Sequence, residues 1–397
     1  MSRGPRVALV CPHSWTVPGG IQAHVAGLAR TLRARGVVVD VLAPADGPVD
    51  LPGFVNLGRT IGIPDNGSVT RLALGPLAAR RTWRRIASGG YALVHLHDPM
   101  LPAVALTALL TARAPLVGTF HMYADDPGWY RRFGPVCRWA LARLDVRIAV
   151  SEAARLHVAR ICPGDYTIIP NGVDVAASAA APARGEPGGA GRLLFVGRPH
   201  PRKGLPVLLE AFSRLPGQPT LDLVGVSPDQ LAGLPGLARE AAPRVRAHGV
   251  VDDGERERLL GRADVLCAPS LGGESFGVVL VEGMAAGVPV VASAIPGYVD
   301  VLPAGCGRLV PPGDPVSLAG ALAALLADPD LRRRLGSAGR VAAQRFDWSR
   351  VGDQVLAVYQ PLLARSALTR DPASRRRRRL ARPAGRAAGA PHRPSRR

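Results

Sequence analysis

Lysine is almost missing from this chain. Of 50 basic residues, 49 are arginine and one, Lys203, is lysine. Where arginine stands wherever either cation serves, a lone lysine marks a place that wants a compact ammonium, not a planar fork. Cysteine is sparse: Cys11, Cys137, Cys162, Cys267 and Cys306 are scattered, with no Cys-x-x-Cys pair. That argues against a zinc site or a disulfide framework and for buried, reduced thiols in the cytoplasm. Long apolar runs are absent as well. The best candidate, around residues 101–117, is broken by Arg113, so no bilayer-spanning helix is expected. The first residues form one short strand, Arg6 to Cys11, followed by Pro12 and His13, without the pattern of a signal peptide. Any membrane contact is expected to be peripheral.

Acidic residues number 30, which leaves a net charge of +20. The excess is uneven. Residues 366–397 hold eleven arginines and one aspartate, so about half of it sits in a tail rich in Arg, Pro, Ala and Gly that reads as disordered. The run Arg375–Arg379 suits nucleic acid or anionic lipid, or is a solvated extension. Nucleic acid is not the expected partner of the chain as a whole.

The most informative stretch is residues 268–293. A strand over residues 263–267 runs out, Gly272-Gly273 makes a turn, and a helix is expected from Ser275 to Ala286. Glycines let backbone approach a ligand, and a helix start offers free N–H groups, so this is an anion site by construction. Glu274 and Glu282 lie eight positions apart, a little over two helical turns, so both can face one cleft. Two carboxylates beside a phosphate site suit a sugar nucleotide. The alternative is a buried βαβ unit whose acids are merely solvated.

Elsewhere the β/α alternation is regular. Arg6–Val10 is a strand leading through Pro18-Gly19-Gly20 into a helix from Ile21 to Arg35, with Ile21, Val25, Leu28 and Leu32 on one face. Residues 43–67 read as a long loop and Ser68–Ala87 as a helix. That helix clusters Arg80, Arg81, Arg84 and Arg85 beside Leu72, Leu77, Trp83 and Ile86; it suits an anionic membrane interface or is a solvated surface helix. The strand ending His95-Leu96-His97-Asp98 lines a cleft in preference to a metal, since no third ligand is apparent. His121 follows another strand, where open α/β sheets place ligands. Arg198 and Lys203 lie between a strand and a helix start. Asp252-Asp253 caps a helix containing Arg256. The expected organisation is α/β, two facing Rossmann-like domains with an active cleft between them: 1–172, a linker 173–191, 192–347, a helix 348–365 and the tail 366–397.

Six motifs carry a resemblance: Val17-Pro-Gly-Gly-Ile-Gln22, Asn66-Gly-Ser-Val-Thr-Arg71, Thr119-Phe-His121, Pro170-Asn-Gly-Val-Asp174, Arg202-Lys-Gly204 and Gly272-Gly-Glu-Ser-Phe-Gly277. With the Glu-x7-Glu spacing, the chain resembles the family 4 retaining glycosyltransferases of GT-B type. More narrowly, it is similar to the actinobacterial phosphatidylinositol mannosyltransferases. The resemblance implies transfer of mannose from GDP-mannose to phosphatidylinositol at the cytoplasmic face of the membrane, with no metal or other cofactor required. It implies that Arg198, Arg202 and Lys203 hold the donor diphosphate with the backbone of Gly20. Glu274 would meet mannose hydroxyls and Glu282 the ribose, with main-chain donors from Ser275, Phe276, Gly277 and Val278. Val251, Asp252, Asp253 and Arg256 would lie near guanine, and His121 near the reacting carbon. His13, Gln22, Asn66, Ser68 and Arg71 would face the acceptor, and Arg80, Arg81 and Arg84 the anionic lipid. Retention would proceed by front-face attack. Two departures fall on the acceptor side. His13 replaces a tyrosine, and Met122-Tyr-Ala-Asp-Asp126 replaces a Thr/Ser-rich segment with a lysine. Acids near a lipid phosphate repel it, which keeps another lipid or a small polyol open as acceptor. A sugar-nucleotide epimerase of the same architecture is a further alternative.

Overall fold

The computed structural model describes residues 4–65, 68–123, 134–179 and 191–370. Two parallel sheets organise it. The first has the order β3-β2-β1-β6-β7-β8-β9, from β1 (Arg6–Val10), β2 (Val38–Ala43), β3 (Phe54–Asn56), β6 (Leu93–His97), β7 (Leu116–Phe120), β8 (Val146–Ala149) and β9 (Thr167–Ile168). The second has the order β12-β11-β10-β13-β14-β15, from β10 (Arg192–Val196), β11 (Thr220–Val224), β12 (Val245–Gly249), β13 (Val265–Ala268), β14 (Val290–Ser293) and β15 (Gly307–Val310). The strands are short apolar runs because helices cover both faces; Val7, Ala8, Leu9 and Val10 are fully buried. In each sheet the strand order reverses beside the first strand, between β1 and β6 and between β10 and β13. Such switch points open a crevice at the carboxyl ends of the strands.

The helix α1 (Gly20–Ala34) packs on one face of the first sheet, and α2 (Pro76–Ser88), α3 (Ala105–Thr111) and the helix Gly134–Leu141 on the other. The last helix, Trp348–Arg370, leaves the second sheet and returns to the first. It buries Val351, Val355, Tyr359 and Leu362 among Leu9, Val25, Leu28 and Val117. The chain therefore closes on itself, and the crossing is fastened by Val173 N–H donating to Phe346 O at 2.9 Å.

Three expectations are corrected. The stretch Ser68–Ala87 is not one helix. An antiparallel hairpin, β4 (Ile61–Asp65) with β5 (Ser68–Leu72), precedes α2. The β-branched pair Val69-Thr70 suits a strand, and Gly75 with Pro76 restarts the chain as a helix. The same hairpin, with β3, shows that residues 43–67 are not one loop. The linker bounds are not among these: Val175–Ala179 is a short helix, and residues 180–190 lie outside the described part, as does the tail beyond Arg370. Finally, the helix after the Gly-rich turn starts late, at Val278, for a reason that belongs to the site.

Candidate active site

After β10 the chain passes Gly197 and exposed Arg198, makes one tight turn at Pro201–Lys203, and enters the helix Leu205–Ser213. Lys203 Nζ lies 2.7 Å from Glu274 Oε1, and the Arg202 guanidinium pairs with the same oxygen. Arg202 also donates to Gly273 O at 3.1 Å, and Leu271 N–H donates to Arg202 O at 2.7 Å. The loops after β10 and β13 are thus laced together. Gly204 permits this: its φ is +66°, and a Cβ there would fall 1.9 Å from Pro269 O. Among the described residues, no side chain is paired with Arg198.

The Gly-rich loop ends at Gly277, whose φ of +86° makes it the N-cap of Val278–Ala285. A Cβ there would meet the Tyr298 ring at 2.6 Å. A left-handed residue cannot lie inside a right-handed helix, so Ser275, Phe276 and Gly277 stay in the loop. Phe276 is buried, edge-on to Phe346 with centroids 5.5 Å apart, which leaves its backbone, not its ring, for a ligand. Glu282, one face along, takes a bond from Arg256 at 2.8 Å. Burial raises the Glu282 carboxyl above its ordinary range, and Arg256 only partly offsets this. Asp252 caps the helix Asp253–Arg262 by accepting from Glu255 N–H at 2.8 Å; Asp253 lies 3.3 Å from Arg256 and Val251 is half-buried.

A group of buried imidazoles stands at the carboxyl ends of β6 and β7. His97 Nδ1 and His121 Nε2 are 2.9 Å apart. His95 is held by Tyr359 and Thr119 hydroxyls, each at 2.6 Å. His24 of α1 contacts the His121 ring at 4.9 Å and Trp348 at 5.3 Å. Burial depresses all four: His95 to about 3, His24 and His97 well below the ordinary histidine value, and His121 with partial relief from Asp98. Asp98 accepts from His121 N–H at 2.9 Å, and His13 Nε2 lies 3.7 Å from its other oxygen. Burial pushes Asp98 up, but contacts with His13 and His121 outweigh it and the net shift is downward. His97, without further ligands in the sequence pattern, meets two more imidazoles in space, while both ring nitrogens of His95 are taken by Tyr359 and Thr119. His24, His97 and His121 offer ring nitrogens within 4.8 Å of one another, a disposition open to a metal ion. As the rings stand, His97 and His121 already share a proton.

The loop after β1 is tied to β5. His13 bridges Leu72, and Ser14 N–H donates to Arg71 O at 2.9 Å. The Gln22 amide donates to Ser14 O at 2.9 Å and Val17 O at 3.0 Å, so it shapes the loop ahead of exposed Gly20. Arg71 lies 3.3 Å from Asp46, which also binds the Thr60 hydroxyl. Bonds from Thr60 hold Asp46 below its usual range, against a small effect of burial. A polar cavity of about 310 Å³ lined by Asp46, Asn56, Arg59 and Arg81 continues toward α2. His13, Gln22 and Arg71 thus converge. Asn66 and Asp126 lie outside the described residues, and the Ser68 side chain is likewise not described. On α2, Leu77, Arg80, Arg81, Trp83 and Arg84 are exposed while Ala78, Thr82 and Ile86 are buried. Arg85 instead turns inward to Asp40 at 2.6 Å.

Sequence reasoning missed His24. Its signal was a histidine three residues after Ile21 and four before Leu28, on the predicted apolar face of α1. It also missed Ser151, which caps its helix and donates to Ser275 O between the two sheets; nothing in sequence marks that contact.

Residues 18–177 match the family model described as Glycosyltransferase Family 4, and residues 190–328 the model described as Glycosyl transferases group 1. A phosphatidyl-myo-inositol mannosyltransferase of Mycobacterium leprae is 43% identical over 363 residues, covering 89% of this chain and 96% of its own. One from Mycobacterium tuberculosis is 41% identical over 371 residues, covering 91% and 98%. Among solved structures, Anabaena HepE in complex with UDP and glucose superposes with a TM-score of 0.71 at 21% identity, over 90% of this chain and 100% of that one.

Proposed function

This chain belongs to the family 4 glycosyltransferases of GT-B fold, and we propose from that premise that it moves mannose from GDP-mannose to phosphatidylinositol with retention of configuration. The observation that carries the reading is the pairing of Lys203 and Arg202 with Glu274 at the carboxyl ends of β10 and β13. Fixed cations there offset the charge that gathers on a departing nucleotide diphosphate, and preorganised charge is the largest lever on such a step. Arg198, unpaired among the described side chains, is a third cation for that diphosphate. Glu274 binds sugar hydroxyls, and Glu282 with Arg256 faces the nucleoside. His121, neutral through burial, hydrogen-bonds to the sugar near its reacting carbon. The acceptor hydroxyl attacks the same face that the diphosphate leaves, and a diphosphate oxygen takes its proton.

The acceptor headgroup is met by Arg71, Gln22 and His13, and the lipid surface by Arg80, Arg81 and Arg84. No described helix is long and apolar enough to cross a membrane, so contact at the inner face is through side chains. A second acceptor, another lipid or a soluble polyol, is favoured by His13 standing 3.7 Å from Asp98 where the resembled family has tyrosine. Purified protein, GDP-mannose and phosphatidylinositol-containing vesicles in a metal chelator should give a mannosyl lipid, read by mass spectrometry. Donor consumption with product only on a soluble polyol would replace the first reading by the second. No donor consumption would defeat both.

A further inference from the structure

His24 on α1 meets His97 and His121 at the ends of β6 and β7, and one ring nitrogen of each lies within 4.8 Å of the other two. The transfer reaction proposed above uses neither His24 nor His97. His97 is fully buried, and His24 and His121 are only 5% and 6% exposed. A buried polar atom normally has a hydrogen-bond partner, yet His24 Nδ1 and His97 Nε2 have none among the described residues. Asn171 Oδ1 and Asp98 Oδ2, both beside His121, have no hydrogen bond either. Each of these atoms loses water on folding and gains no bond in return, and four of them in one region point to a ligand. The donor set says which kind. Imidazoles suit zinc and its neighbours in the first transition row, whereas magnesium and calcium take oxygen. Burial lowers the pKa of all three rings, so at pH 7 they are neutral and their lone pairs are available. His97 Nδ1 and His121 Nε2 already face each other at 2.9 Å. Two nitrogens on one tetrahedral ion, with bonds of about 2.0–2.1 Å, stand about 3.3 Å apart. Asp98, buried and attractive to a positive charge at His121, offsets the charge of an ion there.

We propose that His24, His97 and His121 form a binding site for one divalent transition-metal ion of the zinc class, with a fourth position left for water. The ion takes the place of the hydrogen that His97 and His121 share, and the displaced proton moves to the far nitrogen of its own ring, so every ligand stays neutral. The His24 ring swings inward to complete the set. His121, ligated through Nε2, directs its Nδ1–H to Asn171 Oδ1; a metal-bound histidine is oriented by an acceptor of that kind. A ring fixed on an ion is lost to the sugar, so the ion inhibits transfer. That consequence rests on the transfer reading above, and the binding itself does not.

Full-length protein, stripped of metal by a chelator that is then removed, is titrated with Co2+ and followed by visible absorption. One equivalent should give the d–d bands of a four-coordinate ion with nitrogen donors. No thiolate band should appear, since all five cysteines are buried, and Zn2+ should bleach the spectrum. His24→Gln and His97→Gln should each weaken binding by more than the roughly 10–100-fold that removal of an outer partner costs, while His248→Gln, in the second lobe, binds as the parent does. Melting without metal identifies a variant that has not folded, and His24→Asn then takes its place. The absence of a one-to-one site, a six-coordinate spectrum, equal affinity in the His24 and His97 variants, or an equal loss in His248→Gln overturns the proposal. Zn2+ should also stop donor consumption, and chelator should restore it. If Zn2+ binds and consumption is unchanged, the site stands and the placing of His121 at the sugar falls. If there is no consumption to inhibit, the site stands and the transfer reading falls.

Discussion

Lowering the pH from about 7.5 to about 5 should selectively loosen the first lobe. Histidine has an ordinary pKa of 6.5, and burial depresses His95 to about 3 and puts His24 and His97 well below that ordinary value. A group whose folded pKa is lowered leaves the folded chain with fewer protons than the unfolded one. Its stabilising effect is therefore complete above pH 6.5 and is lost as pH falls from there toward the folded value. For His95, at about 3, the deficit at pH 5 is roughly 1.5 units, or about 2 kcal/mol. His24 and His97 are shifted in the same direction by burial and add to the loss. Amide hydrogen exchange by NMR or mass spectrometry at the two pH values, corrected for intrinsic rates, tests this by element. Leu93–His97 and Leu116–Phe120, which carry or adjoin the imidazoles, should lose protection strongly, while Val265–Ala268 in the second sheet keeps most of its own. Equal protection of the first-lobe strands at both pH values would refute the burial argument.

Lys203→Ala and Glu274→Ala should each reduce turnover by about 10²-fold or more in a donor-consumption assay while the melting temperature stays near that of the parent; Lys203→Arg should restore little, because a fork does not replace a point charge. Gly277→Ala should cost about 2–3 kcal/mol in urea denaturation, from an unfavourable φ and a collision with Tyr298, and a variant as stable as the parent would contradict the N-cap geometry. Changing Arg80, Arg81 and Arg84 together to glutamine should lower binding to anionic vesicles and flatten its salt dependence while leaving nucleotide affinity unaltered by calorimetry.

Much of the architecture was readable because buried parallel strands are written as short apolar runs. Arg6–Val10, Leu116–Phe120 and Arg192–Val196 stand out by composition, and the glycines and prolines between elements punctuate them. Where the signal is weak the reading went astray. Ser68–Leu72 pairs with Ile61–Asp65 through backbone bonds that no helical or apolar period announces, and its arginine made it look continuous with the basic helix beyond. The late start at Val278 turned on a single dihedral at Gly277. Lys203 and Glu274 were legible because composition isolated one and spacing the other. Their ion pair was not, since it joins loops 71 residues apart in sequence. The imidazole group was half-legible: β6 and β7 advertise His95, His97 and His121 at their ends, but His24 comes from α1 and meets them only when the sheet is wound.

That ion pair bears on why one lysine persists in a chain that otherwise uses arginine. Without donor, Lys203 and Arg202 share one Glu274 oxygen, which lowers the self-energy of two neighbouring cations in a partly buried crevice. On the proposed reading, an arriving diphosphate competes with Glu274 for them. Two unit charges 4 Å apart near a protein surface interact by about 4 kcal/mol, so the exchange is close to balanced for each cation and needs no large rearrangement. An ammonium has three rotatable donors on a flexible stem, so Lys203 can turn one toward phosphate while keeping another on the carboxylate. A planar guanidinium committed to Gly273 O and Glu274, as Arg202 is, cannot pivot in this way without surrendering both bonds. On the proposed reading, the residue that bridges the leaving group and the carboxylate is thus the one for which arginine is a poor substitute.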